Sequence, residues 1–140
     1  MTPTLPTPPT LPMVCALYAA LLGILAAVLT VRVIVCRVRF KVDTGDGGNA
    51  VLAQAIRAHA NLTEQVPLAL LLIALAEAGR APASAIHALG GALVLARLAN
   101  AWGLSGSLGP TVPRQAGAGL TVLVIAATSM LILYQVATRV

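Results

Sequence analysis

The chain is expected to be an all-α membrane protein, a bundle of four transmembrane helices forming one domain. Three observations lead there. Of its 140 residues 59% are hydrophobic and only 9% charged, at a mean hydropathy of +0.92, whereas soluble domains carry about 25% charged residues. The apolar residues gather into four runs, each roughly the 20 residues that cross a bilayer as a helix. Most charged, Gly and Pro residues fall between or at the edges of those runs. A net charge of +5 would suit nucleic acid in a soluble protein. Here the basic residues flank apolar spans and aromatics are 3%, so the positive-inside bias accounts for them and no nucleic-acid partner is expected.

Residues 1–12 are too rich in proline for a helix and should form an extended or disordered tail. The tail has no basic segment, and the apolar run after it is too long for a signal-peptide core, so the first span should be retained. That span covers about 13–35 and is followed by the cluster Arg37, Arg39 and Lys41. Cys15 and Cys36 stand near its two ends, roughly 30 Å apart on a helix, far beyond disulfide reach. Thr44-Gly-Asp-Gly-Gly-Asn49 reads as a turn whose glycines permit positive φ, with Asn49 as a cap for the next helix.

The second span, about 50–76, contains Pro67, which removes a backbone donor and leaves the Thr63 carbonyl without its usual partner. A bend there would either widen a pocket or serve packing alone. Residues 77–82 form a short turn, and the third span covers about 83–102. A loop with three glycines and two prolines leads to the fourth span, about 114–136. Arg37, Arg39, Lys41 and Arg114 lie toward one membrane face and only Arg80 and Arg139 toward the other. The first face should be cytoplasmic, which places both termini on the periplasmic or luminal side.

The second span also carries the candidate site. Arg57, Asn61 and Glu64 recur at i, i+4 and i+7, so a helix puts them in one stripe. A charge at the bilayer centre costs about 2.5–3.5 kcal/mol on insertion scales, so the stripe should face a protein interior or a polar cavity. By depth, Arg97 on the third span and Arg114 at the start of the fourth belong to the same half of the bundle, as do Arg37 and Arg39. An ion-pair network of Glu64 with Arg57 or Arg97 would fix helix register. Yet Glu64 is the one acid within a span in that half. The cationic excess calls for an anion, such as a lipid headgroup or a small carboxylate or phosphate ligand. His59 points away from the stripe, and His87 is expected to snorkel at the opposite membrane face. The sequence contains no nucleophile triad, metal cluster or phosphate-binding glycine loop.

Arg57-Ala-His59-Ala-Asn61-Leu-Thr-Glu64-Gln65-Val-Pro67 at the start of the second of four short spans resembles the MAPEG superfamily, membrane-associated proteins of eicosanoid and glutathione metabolism. Gly45-Asp-Gly-Gly-Asn49 and the run from Glu64 are similar to its small bacterial branch. The resemblance implies a homotrimer in the bacterial inner membrane, with glutathione as co-substrate held between subunits in the cytoplasmic half. It assigns Arg57 and Asn61 to the ligand's carboxylate and peptide groups and Glu64 to its amino group. Arg37, Gln65, Arg97 and Asn100 complete the binding set, and Arg114 stands beside the sulfur as the catalytic residue.

The implied reaction is thiolate attack on a hydrophobic electrophile or lipid hydroperoxide, a transferase or peroxidase activity. The chain departs from the family pattern where Gln65 replaces a frequent aromatic, Asn100 a histidine and Leu104 a tyrosine of eicosanoid-making members. Prostaglandin or leukotriene synthesis is therefore not expected. The alternative is a non-catalytic membrane scaffold, a lipid-binding protein or an accessory subunit of a larger membrane complex. A solute transporter finds little support, because the chain has no internal inverted repeat.

Overall fold

The computed structural model describes residues 11–106 and 111–139. Four α-helices follow in chain order: α1 Met13–Phe40, α2 Ala50–Ala78, α3 Ala83–Gly106 and α4 Val112–Ala137. Each is long and apolar enough to cross a membrane. The tail expected over 1–12 falls outside the described residues except for Leu11 and Pro12, as do residues 107–110 of the last loop.

The helices run past several of the apolar limits read from the sequence. α1 continues through Arg37 and Arg39 to Phe40, because hydropathy marks where lipid ends and not where the backbone must stop coiling. Basic side chains in a last turn also favour the negative end of the helix dipole. Lys41 then closes α1 in the left-handed region, at φ 56°, with its N–H on the Arg37 carbonyl.

The turn to α2 takes positive φ at Gly45, Gly47 and Gly48. Asn49 Oδ1 accepts from the N–H groups of Val51 and Leu52 at 3.0 and 3.1 Å, the capping expected of it. α2 remains one helix across Pro67.

α2 and α3 are the inner pair: each packs on the other three helices, whereas the backbones of α1 and α4 do not approach each other among the described residues. The buried residues of α2, namely Leu52, Ala55, Ala58, Leu62, Val66, Ala69, Ile73 and Ala76, step by three and four and so make one continuous inward face. Leu22 and Leu29 of α1, Ile86 and Leu93 of α3 and Val124 of α4 close the core around it. Alanines on that face bring the backbones near one another, the usual means of helix association in lipid.

Polar side chains reach across helices to fasten the ends. Glu77 of α2 accepts the N–H groups of Val14 and Cys15 at 2.8 and 2.7 Å, at the start of α1. Gln135 of α4 donates to the carbonyls of Ala76 and Gly79, where α2 stops. His87, expected to snorkel, instead meets α1: its Nδ1 lies 2.9 Å from the Tyr18 hydroxyl, and the rings stand edge to face.

Candidate functional site

The stripe on α2 divides. At 3.6 residues per turn Asn61 is rotated about 40° from Arg57 toward the buried face, while Glu64 returns to Arg57's side. Asn61 is accordingly half-buried, and Arg57 and Glu64 are exposed. Asn61 Oδ1 accepts from Arg97 Nη1 at 2.7 Å. Among the described residues neither Arg57 nor Glu64 has a side-chain partner, so the ion pairs considered for Glu64 with Arg57 or Arg97 are not formed.

Arg97 is the centre of the polar interior. Only 2% of it is exposed, and its guanidinium joins three helices. Nη1 bonds Asn61 of α2; Nη2 bonds the Gly117 carbonyl at 3.0 Å and the Thr121 hydroxyl of α4. Thr121 in turn donates to the Gly117 carbonyl at 2.9 Å. This approach depends on Gly117, where a Cβ would press on the Ala96 carbonyl and come within 2.9 Å of the Asn100 nitrogen on α3. Neither Gly117 nor Thr121 stood out in the sequence, although a threonine one turn after a glycine in an apolar helix is the signal that could have marked them.

Two buried polar atoms at this level lack a hydrogen-bond partner among the described residues: Arg97 Nε and Gln65 Oε1. Gln65 lies one turn beyond Asn61 on the same edge of α2. Asn100 is also buried, and its Nδ2 donates to the Arg114 carbonyl at 3.2 Å, tying the end of α3 to the first turn of α4. Arg114 is therefore adjacent to the same polar layer and half-buried. Leu104 is buried in the apolar core.

Arg37, in the last turn of α1, reaches the chain that follows. Its Nη1 donates to the carbonyls of Val42, Asp43 and Gly45 at 3.3, 3.0 and 3.1 Å, so the side chain holds the α1–α2 turn. The structure thus brings Asn61, Arg97, Asn100 and the backbone of Arg114 into one layer around Gly117, with Gln65 one turn further along α2. It leaves Arg57 and Glu64 outside that layer on the open face of α2, and Arg37 in the turn.

Beside Pro67 the bundle opens on the α1 side into an apolar groove of about 220 Å³, between Gly23 and Ala26 of α1 and Thr63 and Val66 of α2. Chemically the arrangement offers a cation and an anion on an outward face, a rigid amide next to them, and apolar surface within reach. No cluster of His, Cys, Asp or Glu able to hold a metal ion occurs among the described residues.

Comparison with known proteins gives a consistent picture. The chain is 36% identical over 91 residues to "Inner membrane protein YecN" from two strains of Escherichia coli, a match that covers 65% of this chain and 70% of the relative. The model of the MAPEG family matches residues 15–134, from the first turn of α1 to the last turns of α4. With four apolar helices and the Arg57, Asn61, Glu64 pattern at the start of the second, the chain belongs to the MAPEG family.

Proposed function

We propose that the protein is a thiol-dependent membrane transferase or peroxidase that uses glutathione, or a thiol of similar build, against hydrophobic electrophiles or lipid hydroperoxides. The observation that carries this reading is the separation of the polar residues. Arg97 and Asn61 bond one another inside, while Arg57 and Glu64 point outward with opposite charges and no internal partner among the described residues. Two helical turns separate them, a rise of about 10.5 Å. An extended tripeptide spans about 10 Å, so its terminal ammonium and distant carboxylate suit Glu64 and Arg57 respectively.

In this proposal the outward face is shared with a second copy of the chain, and the assembly is a homotrimer. Arg114 supplies the fixed positive charge that favours thiolate over thiol. Arginine does not give up its proton at neutral pH, so it stabilises the thiolate and does not act as base. The thiol proton passes to water, the sulfur forms a bond to carbon, and the leaving group departs with the bonding pair. With a hydroperoxide, two thiols become a disulfide as the O–O bond is reduced to alcohol and water. The apolar groove along α1 and α2 accepts the greasy part of such a substrate.

The test is a titration of the purified protein with glutathione, following thiolate absorbance, together with conjugation of a hydrophobic electrophile. Arg57→Ala should weaken binding about tenfold to a hundredfold, the value of a hydrogen bond to a charged group. Arg114→Ala should abolish turnover while assembly persists. Normal turnover in that variant ends the proposed role for Arg114.

A second reading, a non-catalytic scaffold or lipid-binding subunit, draws support from Arg97 and Asn61 being engaged internally and from Gln65, Asn100 and Leu104 standing where other residues are usual. It requires no thiolate signal at any glutathione concentration. For localisation we propose the bacterial inner membrane, in keeping with the relative's name, with both termini periplasmic. A C-terminal phosphatase fusion should be active, and an inactive one would reverse the orientation.

A further inference from the structure

The outward face of α1 carries a column of β-branched side chains. Ile24, Val28, Val31, Val35 and Val38 step by four, three, four and three, and each is more than half exposed. The column ends at a basic corner. Arg37 turns away from it to hold the carbonyls of Val42, Asp43 and Gly45. Arg39 and Lys41 remain exposed on the outside. The Arg39 guanidinium lies over the Phe40 ring at 5.6 Å, and Lys41 is fixed in the left-handed conformation that ends the helix. On the Lys41 side of the corner, Arg37, Val38, Lys41, Val42 and Asp43 border a shallow pocket.

We propose that this corner is a binding site for an anionic glycerophospholipid. The phosphate lies between Arg39 and Lys41, and one acyl chain runs down the Val38, Val35, Val31 column. Charge complementarity selects this occupant over a neutral lipid. Among the described residues neither cation has an acidic side chain bonded to it, and the one acid bordering the pocket, Asp43, stands against the three cations Arg37, Arg39 and Lys41 of the corner. The five-residue column is about 21 Å long on a helix, which matches an acyl chain rather than a free phosphate ion. The Arg37 clamp holds the turn in place, so the pocket is formed before the lipid arrives. The site is separate from the polar layer around Arg97 and does not depend on the thiol chemistry proposed above.

The experiment is native mass spectrometry of the full chain released from nanodiscs containing equal phosphatidylglycerol and phosphatidylethanolamine. Each lysine or arginine near a membrane surface changes anionic-lipid binding about fivefold. Wild type should retain phosphatidylglycerol preferentially, and Arg39→Gln with Lys41→Gln should reduce that preference by about twenty-five-fold. The doubly conservative Arg39→Lys, Lys41→Arg variant should keep it, with thermal melting unchanged in both. Equal retention of the two lipids by wild type, or an undiminished preference in the glutamine variant, overturns the proposal. A phosphatidylglycerol carrying a photoreactive acyl chain should label the peptide containing Val31 to Val38. Labelling elsewhere, or crosslinking of that column to a second copy of the chain, also overturns it.

Discussion

Arg97 carries a charge into the middle of the bundle and meets neutral oxygens there: Asn61, Gly117 and Thr121. A delocalised guanidinium tolerates this better than an ammonium, since several donors divide the charge and each finds an acceptor in a fixed direction. Interhelical hydrogen bonds in lipid contribute about 0.6 kcal/mol each on average, so the hub gains stability by having several. Arg97→Ala should lose them together and leave Asn61 and Thr121 facing a cavity. We expect a loss of about 2–4 kcal/mol, read as lower melting in detergent. Gln65→Leu makes the contrast: it removes a buried oxygen that has no partner among the described residues, so stability should hold or rise by about 1 kcal/mol. A large loss there would mean that Gln65 has a buried partner in the assembled protein. Arg57, Asn61 and Glu64 were legible as a stripe because their spacing is local. Their division into one inward and two outward members follows from the 40° offset of Asn61 and from the alanines beside it. Arg97 was legible by its depth, but Thr121 and Gly117 lie 60 and 56 positions from Asn61 in the chain and carry only the weak signal of a threonine one turn after a glycine.

At the level of the helices, the ends depend on side chains borrowed from elsewhere. α2 begins on its own Asn49, a local cap that the sequence already indicated. α1 begins on Glu77, which reaches from the far end of α2 to two N–H groups that α1 cannot satisfy itself. No spacing rule links residues 63 positions apart, which is why Glu77 read as part of a turn. The helical end of α1 was not legible for a related reason: hydropathy falls at Arg37, but the backbone is still helical and Arg37 itself holds the turn beyond. Glu77→Ala should therefore loosen the first turn of α1 with little effect on α3 or α4. Loss of a cap costs about 1–2 kcal/mol. Hydrogen exchange at Val14 and Cys15 should rise by about tenfold, and unchanged exchange would show that the first turn is held by packing alone.

The whole molecule has an uneven arrangement: two inner helices, and two outer ones whose backbones do not approach each other among the described residues. α1 rests against α2 and α3 on one side and exposes Leu17, Leu21, Ile24, Val28 and Ile34 on the rest of its surface. Lipid can cover such surface without cost, so apolar exposure alone does not demand a partner. Arg57 and Glu64 do, because they project from α2 within its membrane-length stretch and a lone charge there costs about 2.5–3.5 kcal/mol. One copy of the chain supplies neither with a partner among the described residues. Association that turns these faces toward one another, around a zwitterionic ligand, removes both charges from lipid at once. The homotrimer proposed above does this, and the chain should run as three copies of its 14.2 kDa mass in native mass spectrometry. Arg57→Leu together with Glu64→Leu should remove ligand binding while leaving each protomer folded, since the Arg97 hub is intact. If ligand contacts hold the copies together, the double variant should also shift toward monomer, and added glutathione should stabilise wild type alone. A wild-type monomer that binds glutathione at full affinity would place the site within one chain and end the shared-face proposal.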